Sequence, residues 1–87
     1  MDYKILKDDE NELMVEFNSP DLTIPDLVAN TALEDSKVTF AGVYKEHPDV
    51  GNPQLVIKTK GEKAAEAFKG ALNKIESSIK DMKKQLK

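Results

Sequence analysis

Residues 62–87 read EKAAEAFKGALNKIESSIKDMKKQLK, and their reading decides the fold. Phe68, Leu72, Ile75, Ile79, Met82 and Leu86 recur at spacings of four and three, which puts all six on one stripe of an α-helix. Ala64, Ala65, Ala67 and Ala71 widen that stripe and favour helix intrinsically. Nine charged residues between Lys63 and Lys84 form the opposite, solvated face. A helix of this length is roughly 37 Å long at 1.5 Å per residue. A compact domain of this size has a radius of gyration of only about 12 Å. The helix therefore outruns its own domain, and part of the stripe needs a cover from elsewhere.

The 87 residues bound what such a chain can be. They are expected to form a single domain, 1–87, near the lower end of the range that folds alone. With 39% hydrophobic and 33% charged residues the composition is globular but thin-cored. There is no Cys, so no disulfide or thiolate metal site can stiffen it, and a cytoplasmic location is expected. The start shows no signal-peptide pattern. The longest apolar runs are three residues, such as 13–15 and 55–57, so no membrane span is expected.

Net charge is −3, divided unevenly. Residues 1–61 carry 6 Lys against 12 acids, and residues 62–87 carry 7 Lys against 4 acids. The Lys excess suits the end of a long helix, whose dipole favours cations there. All 13 basic residues are Lys. Without Arg the bidentate phosphate and base contacts of a dedicated nucleic-acid reader are missing.

Upstream of the long helix the pattern is strand-rich. Tyr3–Lys7 alternates as a short strand, with Tyr3, Ile5 and Lys7 on one side. The acidic run Asp8-Asp9-Glu10 with Asn11 reads as a turn, which explains it better than a cation site would. Leu13, Val15 and Phe17 alternate with Glu12 and Glu16 as a half-buried strand, leaving Met14 on the outer face. After Asn18-Ser19-Pro20 a helix is expected over about Ile24–Glu34. Thr23 is placed as its N-cap, Asp26 as the reciprocal partner of a capping box, and Leu22 and Leu27 as a hydrophobic staple. Ile24, Leu27, Val28 and Thr31 cluster on one side, and Leu33 lies opposite Ile24. So wide an apolar arc predicts a helix covered twice, once by its sheet and once by another helix or chain. Lys37–Glu46 is the strongest strand, with Val38, Phe40, Gly42 and Tyr44 on one side and Thr39, Ala41, Val43 and Lys45 on the other. Gln54–Lys60 is the last strand, and residues 46–53 join the two.

The order is β-β-α-β-β-α, an α+β chain. One mainly antiparallel four-stranded sheet is expected, with both helices on one face.

Catalytic chemistry is sparse. His47 has no second His or Cys beside it to build a zinc site. The four glycines are scattered, so there is no phosphate-binding loop. No metal, cofactor or small-molecule ligand is expected, which leaves interaction as the function. Two helices from each of two chains, packed together, would enclose the stripe.

The run Val38-Thr39-Phe40-Ala41-Gly42-Val43-Tyr44-Lys45-Glu46-His47-Pro48, followed by 51–61, resembles the small dimerising subunits of RNA polymerase. That family includes subunit L of archaea, the eleventh subunit of eukaryotic polymerase II and, more distantly, the amino-terminal domain of the bacterial α subunit. The family's first-helix motif is divergent here: Asp21, Thr23 and Leu27 or Val28 keep the frame, while Leu22, Ile24, Pro25 and Asp26 depart from it. The resemblance implies a subunit without catalytic residues inside a nucleotidyltransferase complex. It further implies a heterodimer with a larger subunit, called D in archaea, on which the catalytic subunits assemble. DNA would be met only through that complex. By position, Leu27, Val28, Ala32, Phe68, Leu72, Ile75, Ile79 and Met82 are the residues expected to pair with that partner or support the pairing. Two other readings compete: a small nucleic-acid-binding module using the Lys-rich helix, and a self-contained homodimer built by the same helices.

Overall fold

The computed structural model describes residues 3–18, 21–45 and 51–85. The elements run β1 (Tyr3–Asp9), β2 (Glu12–Phe17), α1 (Thr23–Ala32), β3 (Val38–Tyr44), β4 (Gln54–Thr59) and α2 (Ala64–Gln85). The strands form one antiparallel sheet ordered β1-β2-β4-β3. This is the expected order and architecture. His47 and its Pro48 neighbour, Pro20 and Leu86 lie outside the described residues.

Alternation in the two central strands builds the core. Leu13, Val15 and Phe17 of β2 and Leu55, Ile57 and Thr59 of β4 are buried on the face that carries the helices. Val28, Ala29 and Ala32 of α1 and Ala64, Ala67, Phe68, Ala71 and Ile75 of α2 close over them. Alanine fills five of those eight helical positions, Ala29, Ala32, Ala64, Ala67 and Ala71, and lets the helices sit close to the sheet. Met14 pairs with Val56 on the opposite face, as its position in the alternation predicts.

Two irregularities correct the simple alternation. In β1 the register shifts between Ile5 and Lys7. The extra residue turns Lys7 to the open face, opposite Met14, where its Nζ lies 3.2 Å from Glu12 and 3.4 Å from Asp9. In β3 the register shifts between Val38 and Phe40, so Val38 joins Ala41 and Val43 against the core instead of following Phe40. Strand β1 also runs two residues further than the sequence suggests. The turn shrinks to Glu10 and Asn11, because Asp8 and Asp9 still pair with Leu13 and Glu12.

That turn anchors the last helix. The Ala64 N–H, one of the donors a helix start leaves without an internal partner, donates to the Glu10 carbonyl at 2.8 Å. Asn11 donates from Nδ2 to the Glu62 carbonyl at 3.2 Å and to Thr59 Oγ1 at 3.3 Å. Gly61, at φ +82°, makes the left-handed bend between β4 and α2.

The start of α1 differs from expectation. The helix begins at Thr23, its N-cap position is Leu22, and no side chain caps it from there. Thr23 and Asp26 are therefore not the cap and its partner. Asp21 takes over the role: its carboxylate accepts the Thr23 N–H at 2.9 Å. A carboxylate two residues ahead of the N–H it receives closes a local turn that competes well with a Thr cap. Pro25 sits buried in the first turn, where its missing N–H removes no helical bond. The helix ends at Ala32, two residues early, and Leu33 follows as its C-cap.

Candidate interaction groove

Helix α2 has 22 residues, about 33 Å at 1.5 Å per residue. Its first half lies on the sheet, and its second half projects beyond that core while still facing α1 across an open groove. Burial along the stripe records this. Phe68 and Ile75 are buried, Leu72 is partly buried against the core, Ile79 is 47% exposed and Met82 62%.

The eight residues singled out from sequence thus divide. Val28, Ala32, Phe68 and Ile75 belong to the domain's own core, with Leu72 at its margin. Leu27, 43% exposed, Ile79 and Met82 face outward. These three come together. With Thr31, Glu34, Lys74, Ile75, Ser77 and Ser78 they line an open groove of about 590 Å³ between α1 and α2. Of the apolar lining residues Ile75 is buried, while Leu27, Ile79 and Met82 are exposed.

Five of the lining residues were not singled out. Thr31 occupies the next turn after Leu27 and returns its hydroxyl to the Leu27 carbonyl at 2.8 Å, which hides its polarity and leaves its methyl to the groove. Ser77 and Ser78 flank the stripe, where small residues keep the wall low. Their signal in the sequence was the interruption of the charged face by two uncharged positions. Glu34 and Lys74 bridge the rim at 3.7 Å, and both are well exposed, so the pair adds little stability.

Near the rim two carboxylates meet. Asp35, in the turn after α1, is held below the usual carboxylate range by the Lys37 N–H it accepts at 2.9 Å and by Glu62. Glu62, just ahead of α2, is pushed up by its hydrogen bond with Asp35 and by burial. Its Oε2 is buried without a hydrogen-bond partner among the described residues. The pair joins the two turns that carry the helices.

The groove is open and partly apolar, with Leu27, Ile79 and Met82 exposed along it. Among the described residues no three His, Cys, Asp or Glu side chains gather as a metal site. No described helix is long and apolar enough to cross a membrane.

The family profile of the RNA polymerase Rpb3/Rpb11 dimerisation domain matches residues 12–85. The chain belongs to that family. Its relatives include archaeal polymerase subunits. DNA-directed RNA polymerase subunit Rpo11 of Methanothrix thermoacetophila is 32% identical over 75 residues, covering 86% of this chain and 82% of the relative. Rpo11 of Thermoplasma acidophilum is 28% identical over 79 residues, 91% of this chain and 71% of the relative. The crystal structure of RNA polymerase subunit L from Thermoplasma acidophilum superposes with a TM-score of 0.84 at 28% identity, covering 98% of this chain and 84% of that one. The Rpb3/Rpb11-type match takes in the whole groove, since both helices lie inside residues 12–85.

Proposed function

We propose that this chain is a non-catalytic assembly subunit of DNA-dependent RNA polymerase. Through the α1–α2 groove it pairs with a larger subunit of the D type, and the heterodimer is the platform for the catalytic subunits in the cytoplasm. The observation that carries this reading is the projecting half of α2. Leu27, Ile79 and Met82 leave apolar surface open that the domain's own sheet cannot reach. Each such side chain, fully buried, contributes about 1.5–3 kcal/mol. A domain of this size has only some 5–15 kcal/mol of net stability, so three left half-exposed are a sizeable unused share. Two helices of a partner laid against α1 and α2 would complete a four-helix layer and remove them from water.

The polymerase identity of the relatives and the dimerisation family support the reading. In this reading the contribution to the enzyme is structural. Contact with DNA is indirect, consistent with an acidic chain that has no Arg.

The test is co-purification and melting with the D-type polymerase subunit from the same source. A one-to-one complex and a melting temperature that rises with excess partner are expected. The Ile79→Asp variant, folded alone, should lose both. A wild-type chain that neither binds nor is stabilised would refute the reading.

A further inference from the structure

The two edges of the sheet are built differently. Outer strand β1 carries four charged residues in seven, Lys4, Lys7, Asp8 and Asp9, and a register shift at its middle. Those are the devices by which proteins prevent another strand from adding to an open edge. Outer strand β3, VTFAGVY, has no charged residue and no Pro, and its register shift lies at its beginning. From Phe40 to Tyr44 its ladder groups on the outer side have no strand partner among the described residues. The ring of Phe40 lies over Gly42, within 2.9 Å of the place a Cβ would take, so the glycine is shielded without blocking the edge.

The helix above this edge is also uncovered on the same side. Helix α1 packs on β3, β4 and α2, while α2 reaches β1, β2 and β4. The flank of α1 turned away from α2 therefore overhangs the β3 edge. Leu22 and Leu33 are eleven positions apart, about 20° on the helical wheel, and both have helical backbone angles. They lie on the flank opposite Leu27, and are 41% and 50% exposed.

We propose that a second copy of this chain pairs here, β3 against β3, about a two-fold axis at Gly42. The strand is close to a palindrome about that residue. Antiparallel pairing sets Phe40 of one copy beside Tyr44 of the other and Ala41 beside Val43, so aromatic rings meet across the open face. No charge is brought against another at those positions. The same rotation brings the two α1 flanks toward each other over the seam, so one operation covers both the unpaired ladder and the Leu22–Leu33 strip. The resulting eight-stranded sheet ends in two β1 edges, both charged and bulged, so assembly closes at two. This surface is separate from the α1–α2 groove and does not depend on the function proposed for it.

Sedimentation of the isolated chain over a wide concentration range tests the proposal, with far-UV dichroism confirming that each variant folds. A reversible monomer–dimer equilibrium is expected. Tyr44→Lys and Leu33→Lys, each at an exposed position, should weaken it about tenfold or more. Ile79→Asp should leave it unchanged. A chain that stays monomeric at the highest concentration overturns the proposal, as does a dimer abolished by Ile79→Asp, which would be a groove dimer. A dimer indifferent to both Lys variants, or growth beyond two copies, overturns it as well.

Discussion

The ring of Tyr3 stands edge-on to the ring of Phe68, with centroids 5.2 Å apart and planes at 89°. Tyr3 also lies 6.2 Å from Phe17, so three aromatic rings from β1, β2 and α2 meet at one end of the sheet. The Tyr3–Phe68 contact ties the charged edge strand to the long helix. Its position matters because Phe68 sits on the part of α2 that fixes where the projecting half points.

Removing the ring should loosen that tie without unfolding the domain. Aromatic pairs of this geometry contribute about 0.5–1.5 kcal/mol beyond their buried area. Tyr3→Leu is expected to lower stability by about that amount in urea melts, with β1 amides exchanging faster than those of β2.

The core should respond more strongly. Leu55 and Ile57 are fully buried on the central strand β4. Ile57→Ala is expected to cost about 2–5 kcal/mol, a large share of what so small a domain has. Denaturant titration at constant slope would show it, and a loss under 1 kcal/mol would mean the site collapses around the deletion.

The bend before α2 depends on Gly61. Its φ of +82° is unfavourable for any residue with a Cβ, although the space beside it is open. Gly61→Ala is expected to destabilise by about 1–2 kcal/mol through the backbone alone. A thermal melt compared with Gly70→Ala, an exposed mid-helix position expected to gain about 0.5–1 kcal/mol, separates backbone strain from crowding.

The start of α1 should be acid-sensitive. Asp21 is held below the usual carboxylate range by the Thr23 N–H, then by the Thr23 side chain. A carboxylate lowered on folding adds stability that is present above its ordinary value of 3.8 and lost as pH falls through the lower folded value. Melting temperature followed into strong acid should therefore fall less steeply for Asp21→Ala than for the parent chain. A parallel acid limb in the two would count against this role.

Much of the fold was readable in the residues. The period-two alternation of Leu13, Val15 and Phe17 and of Leu55, Ile57 and Thr59 assigned the core face correctly, because both strands are central and fully covered. The edge strands were harder. A bulge near Leu6 and another near Thr39 shift the alternation by one, and neither leaves a mark in composition, since backbone pairing and not side-chain chemistry sets them. The cap of α1 was misplaced for a related reason: Asp21 and Thr23 both suit a helix start, and only the backbone angles choose between them.

The groove was half readable. The stripe on α2 raised the expectation of a cover over Ile79 and Met82, and both are exposed in the isolated chain. It could not show that Phe68 and Ile75, on the same stripe, are already used by the sheet, because that depends on where along the helix the sheet ends. Thr31, Ser77 and Ser78 carry no apolar signal of their own; the gap that Ser77 and Ser78 leave in the charged face gains meaning only once α1 and α2 are placed side by side.

The central claim is that a partner covers the projecting half of α2. The chain has no Cys, so a single thiol can report on that surface directly. Met82→Cys places one at the open end of the groove, and Lys58→Cys places a control on the opposite face of the sheet. With the D-type subunit bound, as sedimentation verifies, maleimide labelling of the Met82→Cys thiol should slow about tenfold or more while the control reacts as before. Equal labelling of the Met82→Cys thiol in the free chain and in the complex would contradict the account.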